Sequence, residues 1–178
     1  EDYTYDDLAK NALGRLALVT YPGGSQSYRY DTAGRTVRKD VSFSGGKSHS
    51  IGYEYDYLGR ETAASHTGGL RVEKSLTLNG WVSAITGVLS GVTYNARGLP
   101  ERISYANGVT TDLNYLEGPG RTTRQRTTGP AAQVYEDITY DLDKMGLLLG
   151  SNDTAPGNTE AVSYTYDPLY QIRGYTAD

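Results

Sequence analysis

Five aspartates recur in one setting, each directly after a tyrosine: Asp6, Asp31, Asp56, Asp141 and Asp167. Paired carboxylates can share acid and base work, but only where they converge within about 5–10 Å across a cleft. Spread along a chain, they suit another task. An aspartate that opens a type I turn accepts hydrogen bonds from the backbone amides that follow it. Arg15, Arg35 and Arg60, each behind a glycine, have the charge to hold an acidic ligand. Pairing with turn aspartates and packing of their stems on tyrosine rings accounts for them without one. His49 and His66 sit in Ser/Gly/Thr-rich stretches with no Cys, Ser-triad or His-Glu motif nearby, and read as solvated loop residues. "DLDKMG", Asp141 to Gly146, is like the start of a calcium loop, but its fifth position is Met145 and its twelfth is Asn152, where a bidentate glutamate is required. No glycine-rich phosphate loop opens a helix. The sequence therefore assigns no catalytic, cofactor-binding or metal-ligating residue.

The elements that carry these residues are repeated. "YRYDTAGR" contains Tyr28, Tyr30, Asp31, Gly34 and Arg35; "YEYDYLGR" contains Tyr53, Tyr55, Asp56, Gly59 and Arg60. "YTYDPLYQI" keeps Tyr164, Tyr166 and Asp167 and loses the glycine. "YTYDDL" brings Tyr3, Tyr5 and Asp6, with Gly14 and Arg15 displaced by a five-residue insertion that looks briefly helical. Weaker copies hold Tyr94 and Gly98, then Tyr115, then Tyr140, Asp141 and Gly146; "LTLNGWV" is a worn copy aligned on Leu78. Eight copies at steps near 25 residues mark an architectural unit rather than a site used once.

Alternate residues of a strand share a face, so Tyr53 and Tyr55 lie side by side on one surface. Asp56 opens the turn, Gly59 supplies the left-handed backbone of a short hairpin with a bulge, and Arg60 starts the return strand. "PGGS", "YANG" and "GPGR" (Gly118–Arg121) mark further turns. Each unit is then two antiparallel strands, and the chain an all-β, coiled antiparallel meander of about eight hairpins, with residues 1–178 as one array. A sheet this wide curls, splits or flattens.

Composition agrees. Leu, Ile, Val and Phe number only 33 of 178, while 17 Tyr and 20 Thr, both strand formers, supply the surface that aliphatics usually give. A net charge of −4 gives no sign of nucleic-acid binding, and the basic run Arg121–Arg126 reads as the exposed side of a strand. No apolar stretch reaches the roughly 18 residues of a membrane helix. The absence of cysteine removes disulfide and thiol chemistry.

Tyr-x-Tyr-Asp-x-x-Gly-Arg at this spacing resembles the RHS or YD-repeat family, over essentially the whole chain and most weakly between Leu70 and Gly91. That family includes bacterial RHS proteins, shell-forming subunits of insecticidal toxin complexes, wall-associated proteins and the animal teneurins. The resemblance implies a coiled β-strip forming the wall of a hollow shell, secreted or at the cell surface and more often bacterial. It implies a non-enzymatic structural role, with a toxin polypeptide or the rest of a parent chain as partner. Its self-cleaving segment, rich in Asp-Pro-x-Gly, is not matched by Asp167-Pro168-Leu169-Tyr170. Exposed tyrosine rows also suit a carbohydrate-binding or adhesion module, although Trp81 is the only tryptophan. Unpaired end strands are expected to promote self-association.

Overall fold

The computed structural model describes residues 1–118 and 120–178; Pro119, within the expected Gly118–Arg121 turn, lies outside the described residues. The chain is all-β, and it divides into two compact units, Glu1–Gly80 and Trp81–Asp178.

The first unit is an antiparallel meander of β1 (Asp2–Tyr5), β2 (Leu16–Tyr21), β3 (Gly24–Tyr30), β4 (Thr36–Phe43), β5 (Ser48–Tyr55), β6 (Glu61–His66) and β7 (Arg71–Leu76). Each strand pairs with its neighbours in the chain. The insertion after Tyr5 forms one 3-10 turn, Leu8–Lys10, in which the Asp7 carboxylate accepts the Ala9 amide. The Asn11 side chain then donates to the Tyr30 carbonyl at 3.0 Å, tying the insertion to the next hairpin.

The second unit continues the pattern with β8 (Val82–Ile85), β9 (Leu89–Tyr94), β10 (Pro100–Tyr105), β11 (Thr110–Tyr115), β12 (Thr122–Thr128), β13 (Val134–Leu142), β14 (Leu148–Ala155), β15 (Asn158–Tyr166) and β16 (Ile172–Ala177). Arg124 of the basic run forms two 2.7 Å hydrogen bonds to Asp137 on the next strand, and Arg126 also faces that carboxylate.

A register shift follows the tyrosine hairpins throughout. Tyr55 faces Glu61 while Glu54 faces Ala63, which leaves Thr62 as an extra residue on the return strand. The same offset isolates Ala17, Val37, Glu101, Thr123, Leu149 and Arg173. Such bulges raise local twist and re-aim side chains.

Burial is thin. Among the described residues the buried apolar ones are alanines only: Ala12, Ala17, Ala63 and Ala155. Tyrosine, threonine and aliphatic side chains are mostly half-buried on the sheet faces. Backbone ladders and cross-strand pairs, rather than a closed apolar core, therefore carry much of the structure.

Candidate functional site

The Asp-x-x-Gly turns form one recurring constellation. In the unit centred on Asp56, carboxylate Oδ1 accepts the amides of Leu58 and Arg60, both at 2.9 Å, and Oδ2 accepts Arg60 Nε at 2.6 Å. The Gly59 amide donates to the Asp56 carbonyl at 3.0 Å, and Gly59 holds φ +80°. Asp31, Gly34 and Arg35 repeat this arrangement, with Arg35 Nε 2.6 Å from Asp31 Oδ2. In the first hairpin the insertion changes the geometry: Asp6 itself takes φ +62°, and its carboxylate accepts the Gly14 amide at 2.6 Å.

Each arginine also reaches the next hairpin. Arg35 Nη1 donates to the Asp56 carbonyl, and its guanidinium carbon sits 4.7 Å from the Tyr55 ring centre. Arg15 lies over Tyr30 at 5.7 Å, and Arg60 donates to the Thr77 and Leu78 carbonyls. The tyrosines answer in the opposite direction. Tyr30, Tyr55, Tyr94, Tyr115 and Tyr166 donate their hydroxyls to the carbonyls of Leu16, Thr36, Val82, Pro100 and Leu148, at 2.6–2.8 Å. Each acceptor is the first residue after the arginine position of the preceding hairpin. Five junctions are thus tied by a phenol reaching back, each bond worth about 1 kcal/mol, and those of Arg15, Arg35 and Trp81 add a side chain packed forward on the tyrosine ring. The other tyrosine of each pair is placed differently. Tyr3 donates to Glu1, Tyr28 accepts from Gln26, and Tyr53 and Tyr164 oppose Ala64 and Tyr175 across the ladder.

Three sequence assignments are corrected. The turn carboxylate near Tyr140 is Asp143, which accepts the amides of Met145 and Leu147 at 2.8 Å, while Asp141 lies within β13 opposite Gly150. Gly146, at φ +82°, is three residues after Asp143. Leu142 therefore stands where the second tyrosine stands elsewhere, and Tyr140 is the first of its pair. In the worn copy the turn runs from Thr77 to Gly80, so Leu76 replaces the second tyrosine and Leu78 is a turn tip, 92% exposed. His49 and His66 are not loop residues: they lie on β5 and β6 with ring centres 5.7 Å apart.

The corrected alignment puts Trp81 in an arginine position. Its ring packs against Tyr94, 5.1 Å between centres and tilted by 43°, in the place that Arg35 takes over Tyr55. In that hairpin Asn95 replaces the turn aspartate and accepts the amides of Arg97 and Leu99, with Gly98 at φ +79°. Asp167 accepts the amides of Leu169 and Gln171, but the left-handed position after it is Tyr170, at φ +61°.

The turn carboxylates are electrostatically favoured in the fold. The backbone amide of Arg35 leads in holding Asp31 below the usual carboxylate range, against burial and with help from the Arg35 guanidinium. Burial pushes Asp56 up, but the amide and guanidinium of Arg60 outweigh it. The Arg124 hydrogen bond, opposed by burial, lowers Asp137. A depressed folded pKa gives stabilisation that is complete above the unfolded value and is lost as pH falls through the folded one. The melting temperature should therefore hold near neutrality and fall steadily below about pH 4; a rise on acidification, followed by circular dichroism, would contradict this assignment.

The arrangement is chemically a set of closed ion pairs and satisfied turns. Among the described residues, no group of three or more His, Cys, Asp or Glu could hold a metal ion. Among the described residues, no helix is long and apolar enough to cross a membrane.

Comparison with known proteins adds three findings. The RHS Repeat family model matches residues 11–47. No curated protein matches. Among solved structures, the crystal structure of TcdB2-TccC3-Cdc42 is similar over 96% of this chain and 10% of its own, at 16% identity and a TM-score of 0.84. The Photorhabdus luminescens Tc holotoxin pore is similar over the same shares, at 16% identity and TM-score 0.81. TcdB2-TccC3 without its hypervariable C-terminal region gives 17% identity and TM-score 0.81, over 92% of this chain and 9% of that one. The chain spans about a tenth of the length of these structures, and at these identities the likeness concerns the fold.

Proposed function

We propose that residues 1–178 are a wall segment of an RHS-type shell that encloses or presents a toxin or effector polypeptide, a reading supported by the RHS Repeat match at residues 11–47. The observation that carries this reading is the junction chemistry. Arginine and tyrosine side chains reach from one hairpin to its neighbour, and the turn aspartates hold the amides of their own hairpin, instead of converging on a substrate. The fold likeness to the TcdB2-TccC3 structures over 96% of the chain supports it. In this reading the segment is non-enzymatic, belongs to a secreted or cell-surface protein, and meets the remainder of its parent chain along the outer sides of β1 and β16. Those outer sides have no ladder partner among the described residues. The carbohydrate-binding alternative is less well supported, because five of the tyrosine hydroxyls that would orient a sugar are already committed to backbone carbonyls.

The test uses the full-length parent protein. Protease added to the native protein should spare the polypeptide encoded after the repeats, and should degrade it once the fold is loosened by Gly98→Val. Equal cleavage of that polypeptide in both proteins would sink the enclosing role. For the isolated chain, self-association is expected; a monodisperse monomer with exchange-protected amides in β1 and β16 would count against edge pairing.

A further inference from the structure

A run of departures from the repeat lies between Leu116 and Tyr170. Leu116 stands in the aspartate position before Arg121. Its amide pairs with the Arg121 carbonyl at 2.8 Å, but it offers no carboxylate to the guanidinium. Leu142 replaces the tyrosine on which Arg121 would stack, and Leu147 replaces the next arginine. Tyr170 replaces the next glycine. Arg35 and Arg60 are locked by their turn carboxylates and the following hairpin. The Arg121 guanidinium makes no hydrogen bond or ion pair among the described residues.

Beside three of these residues lies a cleft of about 440 Å³ lined by Arg121, Met145, Leu147, Leu148, Tyr166 and Tyr170. Its lining holds one cation and no carboxylate. The turn aspartates Asp143 and Asp167 are engaged with backbone amides and do not line it. Met145 and Tyr170 are 81% and 69% exposed, so the cleft offers apolar surface to solvent. Tyr170 keeps a bulky side chain at φ +61°, where Gly34, Gly59, Gly98 and Gly146 stand in equivalent turns. Backbone strain of this kind gathers at ligand clamps. An unpaired guanidinium beside aromatic and aliphatic walls is complementary to a carboxylate carried on an apolar body.

We propose that this cleft docks an acidic, apolar segment of a partner polypeptide, with a Glu or Asp carboxylate on Arg121 and a neighbouring aromatic or aliphatic side chain against Met145, Leu148 and Tyr166. The site lies wholly within the second unit and does not depend on the shell reading.

The probe is acetyl-Leu-Glu-Phe-amide, titrated into the ¹⁵N-labelled chain, with Gln and Arg in place of Glu as comparison peptides. Saturable shifts are expected at the amides of residues 121, 145–148 and 166–170. The Gln peptide should bind about tenfold more weakly, the loss of one charge-assisted contact. Arg121→Gln should weaken the Glu peptide by the same factor and leave the Gln peptide unchanged. Tyr170→Gly separates site from scaffold, because it should raise the melting temperature while weakening the Glu peptide. Equal binding of Glu and Gln peptides, tighter binding of the Arg peptide, shifts mapping elsewhere, or no saturable binding would each overturn the proposal. So would unchanged affinity in Arg121→Gln.

Discussion

Gly98→Ala is expected to destabilise the second unit by about 2–4 kcal/mol. The left-handed backbone costs an L-residue roughly 1–2 kcal/mol, and Gly98 sits at φ +79°. The added Cβ would also lie 2.6 and 3.0 Å from ring atoms of Trp81, a rigid group that can yield only by leaving Tyr94. Overpacking of that kind costs roughly 1–3 kcal/mol, and a lost aromatic pair about 1 kcal/mol. Gly46→Ala is the matched control: φ is +77°, yet nothing lies within 4 Å of its new methyl. Urea unfolding of both variants should show Gly98→Ala costing about twice as much. Near-ultraviolet circular dichroism should report the displaced tryptophan in that variant alone. Equal costs would mean that the Trp81–Tyr94 junction adds nothing beyond backbone conformation.

The second large effect is expected at Asp153, a buried residue on β14. Its Oδ1 accepts the Asp137 amide at 3.0 Å and the Ala155 amide at 2.9 Å. Asp153→Ala leaves two buried donors unmade, and each unmet group costs about 1–3 kcal/mol. A total of about 2–4 kcal/mol is expected from denaturant unfolding. Asp153→Asn keeps an acceptor oxygen in place and should recover most of that loss. If alanine and asparagine were equally damaging, the cost would lie in the lost charge and not in the unmet amides.

Asp153 was not legible in the sequence, because its neighbours mark it as an ordinary strand residue and nothing local shows that it serves a backbone amide on another strand. The hairpin turns were legible because their logic is local. Asp56 and Gly59 are three residues apart, and both the accepting carboxylate and the positive φ act within that span. The arginine–tyrosine packing was legible too, since repetition at a fixed step puts Arg35 one hairpin from Tyr55.

Register failed where tyrosine was used as the ruler. Tyr and Asp recur for several reasons along a strand, so Tyr140-Asp141 drew attention from the working carboxylate at Asp143. Glycine is the better ruler, because the left-handed position excludes most other residues. Gly146 points back to Asp143, and Gly80 to Thr77. That same count would have placed Trp81 among the arginines. The return-strand bulges left no signal at all: Ala17, Thr62, Glu101 and Arg173 share a geometry and no chemistry.

The junctions differ in kind along the chain. In the first unit they are guanidinium on phenol ring or carbonyl, at Arg15, Arg35 and Arg60. In the second, Trp81, Leu99 and Leu147 occupy equivalent places, and Arg121 is the one arginine kept. Partly exposed charge contacts are screened by salt, whereas apolar contacts strengthen in salting-out ions and weaken on cooling. The chain is therefore a block copolymer in its solution behaviour. Rising ionic strength should weaken the arginine junctions more than the Trp81, Leu99 and Leu147 places, and cooling should do the reverse, although the second unit's Arg124–Asp137 pair is screened as well. Salt and cold therefore act most strongly on different junctions of the same chain.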